Sequence, residues 1–308
     1  MVIYVVESGD SVYSIAQKYN MSPAKIIKDN ELTNPNRLVV GQTLVLLNGM
    51  TSYVVKPGDS IYSIANMYKV PYGNIIKANP SLKDPEKLSV GQVIIIPGET
   101  KYGSMDVNGY AFPNITDEVL DKTLPNLTYI SVFSYKVKDD GTFDDIPDER
   151  IIKKARDMNV APLMVITNIK EGGGFDSQTA STILNDENIQ DTLIDNILAN
   201  LEAKGYYGVD IDFEYILPED KDAYNAFLEK ITARLKPMGY SVTTALAPKE
   251  YGDKIGVLYQ GHDYETHGKL VNHVIIMTYE WGYTYGPPLA VSPIDKVTEV
   301  IDYGVSVI

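Results

Sequence analysis

Cysteine is absent from the 308 residues, tryptophan occurs once and histidine three times. Without cysteine there is no disulfide, thiolate metal site, iron–sulfur cluster or cysteine nucleophile. His262, His267 and His273 form no H-E-x-x-H motif and their spacing suits no common zinc motif, so they read as surface or strand-flanking residues. A G-x-S-x-G elbow and a phosphate-binding P-loop are missing as well. Basic residues are scarce: 27 Lys and Arg stand against 41 Asp and Glu, a net charge of −14. Nucleic acid and anionic membrane both demand clustered cations, so neither is expected as a partner. No apolar run approaches the ~18 residues that span a bilayer. The start, MVIYVVESGD, lacks a basic region followed by an apolar stretch, which gives the expectation of a soluble chain made without a cleaved signal peptide. Tyrosine is plentiful, with 23 copies against 6 phenylalanines, and its apolar ring and polar tip suit wet ligands such as sugars as well as ordinary surfaces.

An internal duplication occupies the first third. Tyr4-Val5-Val6-Glu7-Ser8-Gly9-Asp10-Ser11 returns as Tyr53-Val54-Val55-Lys56-Pro57-Gly58-Asp59-Ser60, and residues 4–30 match 53–79 at 15 of 27 positions. Each copy reads as a short strand, a Gly-Asp-Ser turn, a helix with Val12, Ile15, Ala16 and Tyr19 on one face, a second short helix and a closing strand. A β-α-α-β unit of this size lies near the lower limit for independent folding.

These residues resemble the LysM family of carbohydrate-binding modules, through the Y-x-V-x-x-G-D-S opening, the Ser-Ile-Ala helix, the Asn after the second helix and the Leu-x-x-Gly-Gln close. The resemblance implies binding of N-acetylglucosamine polymers, peptidoglycan or chitin, in a shallow groove. It points to Gly9, Asp10, Ser11 and Asn30 in the first copy, and to Gly58, Asp59, Ser60 and Asn79 in the second. A plainer role is open for the same side chains: Asp10 and Asp59 as helix N-caps, and the glycines as turn formers. The expected domains are 1–48 and 51–98 for the repeats and 101–308 for the rest, with the boundary at Pro97-Gly98-Glu99-Thr100.

From residue 101 onward, apolar runs at 108–112, 127–134, 161–167, 206–214, 240–246 and 271–279 alternate with amphipathic stretches at 148–159, 177–204 and 220–237. This alternation predicts parallel βα units in an α/β fold, and a TIM-like barrel rather than an open sheet. In Gly208-Val209-Asp210-Ile211-Asp212-Phe213-Glu214 the strand period puts three acids on one face and three apolar residues on the other. The acids then climb the barrel interior towards its C-terminal end, where barrel active sites sit. Burial and like charge raise carboxylate pKa values, so the trio is expected to keep at least one proton near neutral pH, as a general acid needs. Three carboxylates on one face also suit a magnesium or calcium ion, or a purely structural layer.

The run resembles the D-G-x-D-x-D-x-E signature of glycoside hydrolase family 18, with Tyr207 in place of the first Asp. The resemblance implies substrate-assisted, retaining hydrolysis in which Glu214 is the acid/base, Asp212 the partner of the substrate acetamido group and Asp210 the residue that tunes Asp212. Met277-Thr278-Tyr279-Glu280 resembles the family's M-x-Y-D, with Glu280 in place of Asp, and the resemblance implies that Tyr279 contacts the acetamido carbonyl; Glu280 and the aromatics that follow, Trp281, Tyr283 and Tyr285, are read as further sugar contacts, with a rim role open to them as well. Two LysM repeats ahead of such a domain resemble the spore cortex-lytic N-acetylglucosaminidases of endospore-forming bacteria. That resemblance implies cortex peptidoglycan as the substrate, germination as the occasion, the spore coat or cortex as the location, and no metal or cofactor. A chitinase and a glycan-binding protein without activity are the alternatives. The barrel normally has eight strands and ~250 residues, so residues 101–308 lead us to expect one that stops after about six βα units, without the family's strand-eight Trp and with an incomplete site.

Overall fold

The computed structural model describes residues 2–19, 21–46, 50–68, 70–79, 82, 84, 87–97, 105–170, 172–282, 285–286 and 289–308. Apart from Pro97, the expected boundary at 97–100 lies outside them. The chain divides into two compact units, residues 1–104 and 105–308.

The first unit contains the two repeats, each with its own core. In copy one, β1 (Val2–Val5), α1 (Val12–Lys18), α2 (Pro23–Asp29) and β2 (Thr43–Leu46) follow in order, and β1 pairs antiparallel with β2. Ser11 caps α1 in a capping box with Ser14, and Val12, Ile15 and Ala16 bury one helix face against Tyr4, Ile26, Leu44 and Leu46. Copy two repeats the plan with β3 (Met50–Val54), α3 (Ile61–Tyr68), α4 (Tyr72–Ala78) and β4 (Val93–Pro97).

Asp10 is not the helix cap that its position allowed, since Ser11 fills that role. Its Oδ2 instead accepts from the Tyr4 hydroxyl at 2.6 Å and the Glu7 amide at 2.8 Å, which closes the turn that Gly9 enters at φ +92°. Asp59 does the same with Tyr53 and Lys56, beside Gly58 at φ +86°, and Ser60 caps the next helix through the Ser63 amide. Asn30 donates to the carbonyls of Ile26 and Val45 and accepts from the Val45 amide, so one side chain ties helix to strand. Asn79 makes the same three bonds to Ile75 and Ile95.

The second unit runs β5 (Asn108–Ala111), α5 (Asp117–Thr123), β6 (Tyr129–Lys136), α6 (Glu149–Asp157), β7 (Ala161–Thr167), α7 (Ser177–Leu184), α8 (Glu187–Lys204), β8 (Gly208–Asp212), α9 (Lys221–Leu235), β9 (Ser241–Leu246), α10 (Val257–Gln260), α11 (Tyr264–Leu270), β10 (His273–Ile276) and α12 (Ile294–Val307). The six strands are parallel in sequence order, as the alternation of runs requires. The stretch 177–204 is two helices rather than one segment, because Asp186 caps α8 through the amides of Asn188 and Ile189.

The sheet is curled into a half-barrel. Flat strands stand ~4.8 Å apart, which would put β6 and β10 roughly 19 Å from each other. Yet the rings of Tyr129 and His273 lie 5.6 Å apart, with Tyr207 6.0 Å from Tyr129. Tyr207, at the position where the family has Asp, thus joins an aromatic cluster at the N-terminal end of the strands. The main core lies between the outer sheet face and the helices and includes Val209, Ile211, Phe213, Phe227 and Ile231.

Candidate active site

The site is built on the end of β8. Gly208 has no room for a side chain, since an added Cβ would fall 2.1 Å from the Ser241 carbonyl oxygen, and its bareness lets β8 lie close to β9. Val209, Ile211 and Phe213 are fully buried on the helix side, which turns Asp210 and Asp212 inward. The ladder ends at Asp212, but the alternation continues two residues further, so a half-buried Glu214 completes the ascent of three acids.

The three carboxyls differ in surroundings. Asp210 is completely buried, and its Oδ2 accepts from the Tyr110 hydroxyl at 2.6 Å and from Ser131 Oγ at 3.2 Å. Burial pushes its pKa up, and the hydrogen bonds from Tyr110 and Ser131 act in the opposite direction. Asp212 has an unpartnered buried Oδ1 among the described residues; burial first, then the charges of Glu214 and Asp210, drive its pKa well above the usual carboxylate range. Glu214 is pushed up to about 7 by burial and then by Glu280. Such a trio retains protons near neutral pH, and the outermost member titrates there.

Asp212, Glu214, Tyr279, Glu280 and Trp281 line one cleft of about 730 Å³, with Tyr110 and Phe175 among its walls. Burial and the neighbouring acids raise the Tyr279 hydroxyl to about 12, so it stays a donor at neutral pH. The backbone turns sharply after Glu214 and after Tyr279, with Tyr215 at φ +55° and Glu280 at φ +59°. Tyr283 lies outside the described residues. Among the described residues no group of three or more His, Asp or Glu is arranged to hold a metal ion, and no helix is long and apolar enough to cross a membrane.

Two histidines were misplaced by their sequence context. His262 and His267 are buried in the second unit rather than on its surface, and desolvation lowers them to about 4 and about 3, so both are neutral at physiological pH. Tyr110 and Ser131, the partners of Asp210, carry no local signal either. They lie 100 and 79 residues from it in sequence, and only the curl of the sheet brings them there.

The fold and the acid-lined cleft at the C-terminal end of its strands fit a glycosidase, the class that the family match gives. Residues 103–301 match glycosyl hydrolases family 18 and residues 4–46 and 53–97 match the LysM domain; the chain belongs to glycosyl hydrolase family 18 and carries two LysM domains. These domains indicate binding of peptidoglycan or chitin-like N-acetylglucosamine polymers. The chain is 43% identical to the cortical fragment-lytic enzyme of Bacillus anthracis, across 99% of this chain and 71% of that protein. Its structure is similar to the spore cortex-lytic enzyme SleL of Bacillus megaterium, with a TM-score of 0.80 and 37% identity over 99% of this chain and 71% of that one. A Chromobacterium violaceum chitinase, 16% identical with a TM-score of 0.61 over 66% of this chain and 65% of its own, shares the fold.

Proposed function

We propose that the chain hydrolyses N-acetylglucosamine linkages in spore cortex peptidoglycan during germination, with retention of anomeric configuration, while its LysM pair holds the glycan. The observation that carries this is the gradient along Asp210, Asp212 and Glu214: a wholly buried, hydrogen-bonded acid below, a desolvated acid between, and a cleft-lining acid above with its pKa at about 7. Protonated Glu214 gives its proton to the glycosidic oxygen as the bond to the anomeric carbon breaks. The substrate's acetamido oxygen forms the new bond to that carbon, oriented by Asp212 and by the Tyr279 hydroxyl. Glu214, now ionised, takes a proton from the water that opens the cyclic intermediate, which restores the starting state. Asp210 governs the charge on Asp212, and Glu280, Trp281 and Tyr283 serve the flanking sugars.

Cortex is favoured over chitin because the 43% identical relative is named for cortical fragments, whereas the chitinase shares 16%. In each repeat the groove runs along the loops shaped by Gly9, Asp10, Ser11 and Asn30, and by Gly58, Asp59, Ser60 and Asn79. Two weak sites on one chain raise the effective concentration of the second once the first is engaged. The test is mass spectrometry of products from purified cortex and from chitin, with the native chain and Glu214→Gln. Fragments ending in reducing N-acetylglucosamine, from cortex and only with Glu214, are expected. Fragments from chitin alone would shift the substrate to chitin, and retention of both polymers without cleavage would leave a binding protein.

A further inference from the structure

The carboxyl of Glu214 has no hydrogen-bond partner among the described residues, so its position depends on its backbone, and that backbone is held in an unusual way. Three successive carbonyls, those of Phe213, Glu214 and Tyr215, each accept from a side chain of a different segment. Asn168, fully buried one residue beyond β7, accepts from the Glu214 amide at 3.0 Å and donates to the Glu214 carbonyl at 2.9 Å. Its carboxamide takes the place of a peptide and extends the β7–β8 ladder past the last strand residues, Thr167 and Asp212. The same Nδ2 donates to the Asp176 carbonyl at 3.0 Å, which anchors Asn168 itself.

On the opposite side His262, 1% exposed, stands between the separating ends of β8 and β9. Its Nε2 lies 3.0 Å from the Phe213 carbonyl oxygen, and its Nδ1 accepts from the Ala247 amide at 2.8 Å. That pair of contacts fixes one neutral tautomer, with the proton on Nε2. Ser177, the first residue of α7, donates to the Tyr215 carbonyl at 2.6 Å, at the cleft-lining residue whose φ is +55°.

We infer that Asn168, His262 and Ser177 are positioning residues that fix the direction of the Glu214 carboxyl by clamping the three peptides around it. The inference rests on the assignment of Glu214 as the acid/base. Catalytic groups displaced by ~1 Å lose on the order of 100-fold in rate, so a clamp on backbone alone is enough to matter. The groups that act electrostatically on Glu214 or are acted on by it, Glu280, Asp212 and Tyr279, are left untouched by changes at the three clamp residues. His262 in turn feels Lys249 and lies near His267, neither of which contacts the Glu214 backbone.

The test compares Asn168→Ala, His262→Leu, His262→Gln and Ser177→Ala with the native chain in three measurements: turnover of a soluble N-acetylglucosamine oligosaccharide, thermal unfolding, and the titration of Glu214. The last is read from glutamate labelled with ¹³C at the carboxyl carbon, with Glu214→Gln to assign the signal. Asn168→Ala and His262→Leu are expected to lower kcat ~10- to 100-fold with KM within about twofold, because substrate contacts are intact. Both are also expected to move the Glu214 midpoint by about half a pH unit or more, as its solvation changes. His262→Gln, which offers a donor and an acceptor in place of Nε2 and Nδ1, should recover most of the rate. Ser177→Ala should have the smallest effect, since it removes one bond at the cleft rim. Folded variants with native kcat and a native Glu214 midpoint would overturn the inference. So would a loss of rate that follows only the unfolded fraction while Glu214 titrates normally. If the native chain shows no Glu214-dependent turnover, the glycosidase assignment fails separately, and the Glu214 midpoint alone decides whether the clamp exists.

Discussion

Tyr110 reaches Asp210 from a strand three places away in the sheet, and its hydrogen bond favours the ionised form of a wholly buried acid. Tyr110→Phe removes that preference, leaving Ser131 as the remaining donor to its carboxyl, and Asp210 then competes with Asp212 for a proton. Turnover should fall ~10- to 100-fold with little change in KM, as steady-state kinetics on an N-acetylglucosamine oligosaccharide would show. Glu214 gives a second consequence. Its folded pKa of about 7 lies above the ordinary 4.5, so folding favours its protonated form. That contribution is fully present below pH ~4.5 and is lost as pH rises through ~7. Activity that needs protonated Glu214 should decline across the same upper limit. Glu214→Gln should abolish turnover yet be more stable than the native chain by roughly 2 kcal/mol at pH 8, with the difference gone at pH 4, in denaturant unfolding. At this scale the acid trio was legible because i, i+2, i+4 spacing in a strand fixes which way side chains point. Tyr110, Asn168 and His262 were not, because their partners lie 100, 46 and 49 residues away and nothing local to them signals the contact.

Strand β8 is the element that makes the site. It lies between β7 and β9, buried along its whole length, and Gly208 at its start permits the close approach to Ser241. Gly208→Ala would push a methyl group into backbone that cannot yield. A loss of about 2–4 kcal/mol of stability is expected in chemical denaturation, with the acid trio displaced and turnover reduced in whatever remains folded. Each of the six strand runs was readable from apolar periodicity, and the parallel order followed from their alternation with helices. The break between α7 and α8 was harder to see, because Asn185 and Asp186 interrupt the helix while leaving the apolar pattern on both sides intact. In the repeats, Asp10 has the chemistry of a cap, and only the geometry shows Ser11 in that place and Asp10 closing the turn on Tyr4.

The whole molecule joins two units with separate cores, small repeats of LysM type and a half-barrel of glycosyl hydrolase family 18. With a net charge of −14 the chain gains little from electrostatic attraction to an anionic glycan, so hydrogen bonds and ring contacts, with exposed tyrosines such as Tyr13 and Tyr62 available for them, are the interactions left for a polymer of the proposed kind. In the proposed mechanism Glu214 and the substrate's own acetamido group together cut the glycosidic bond. That mechanism is tested most directly by proton NMR of the first-formed sugar released from an N-acetylglucosamine oligosaccharide by the native chain, beside Glu214→Gln. Initial products with the anomeric configuration of the substrate, absent with Glu214→Gln, are the expected result. Products of inverted configuration, or the same products at an undiminished rate with Glu214→Gln, would contradict it.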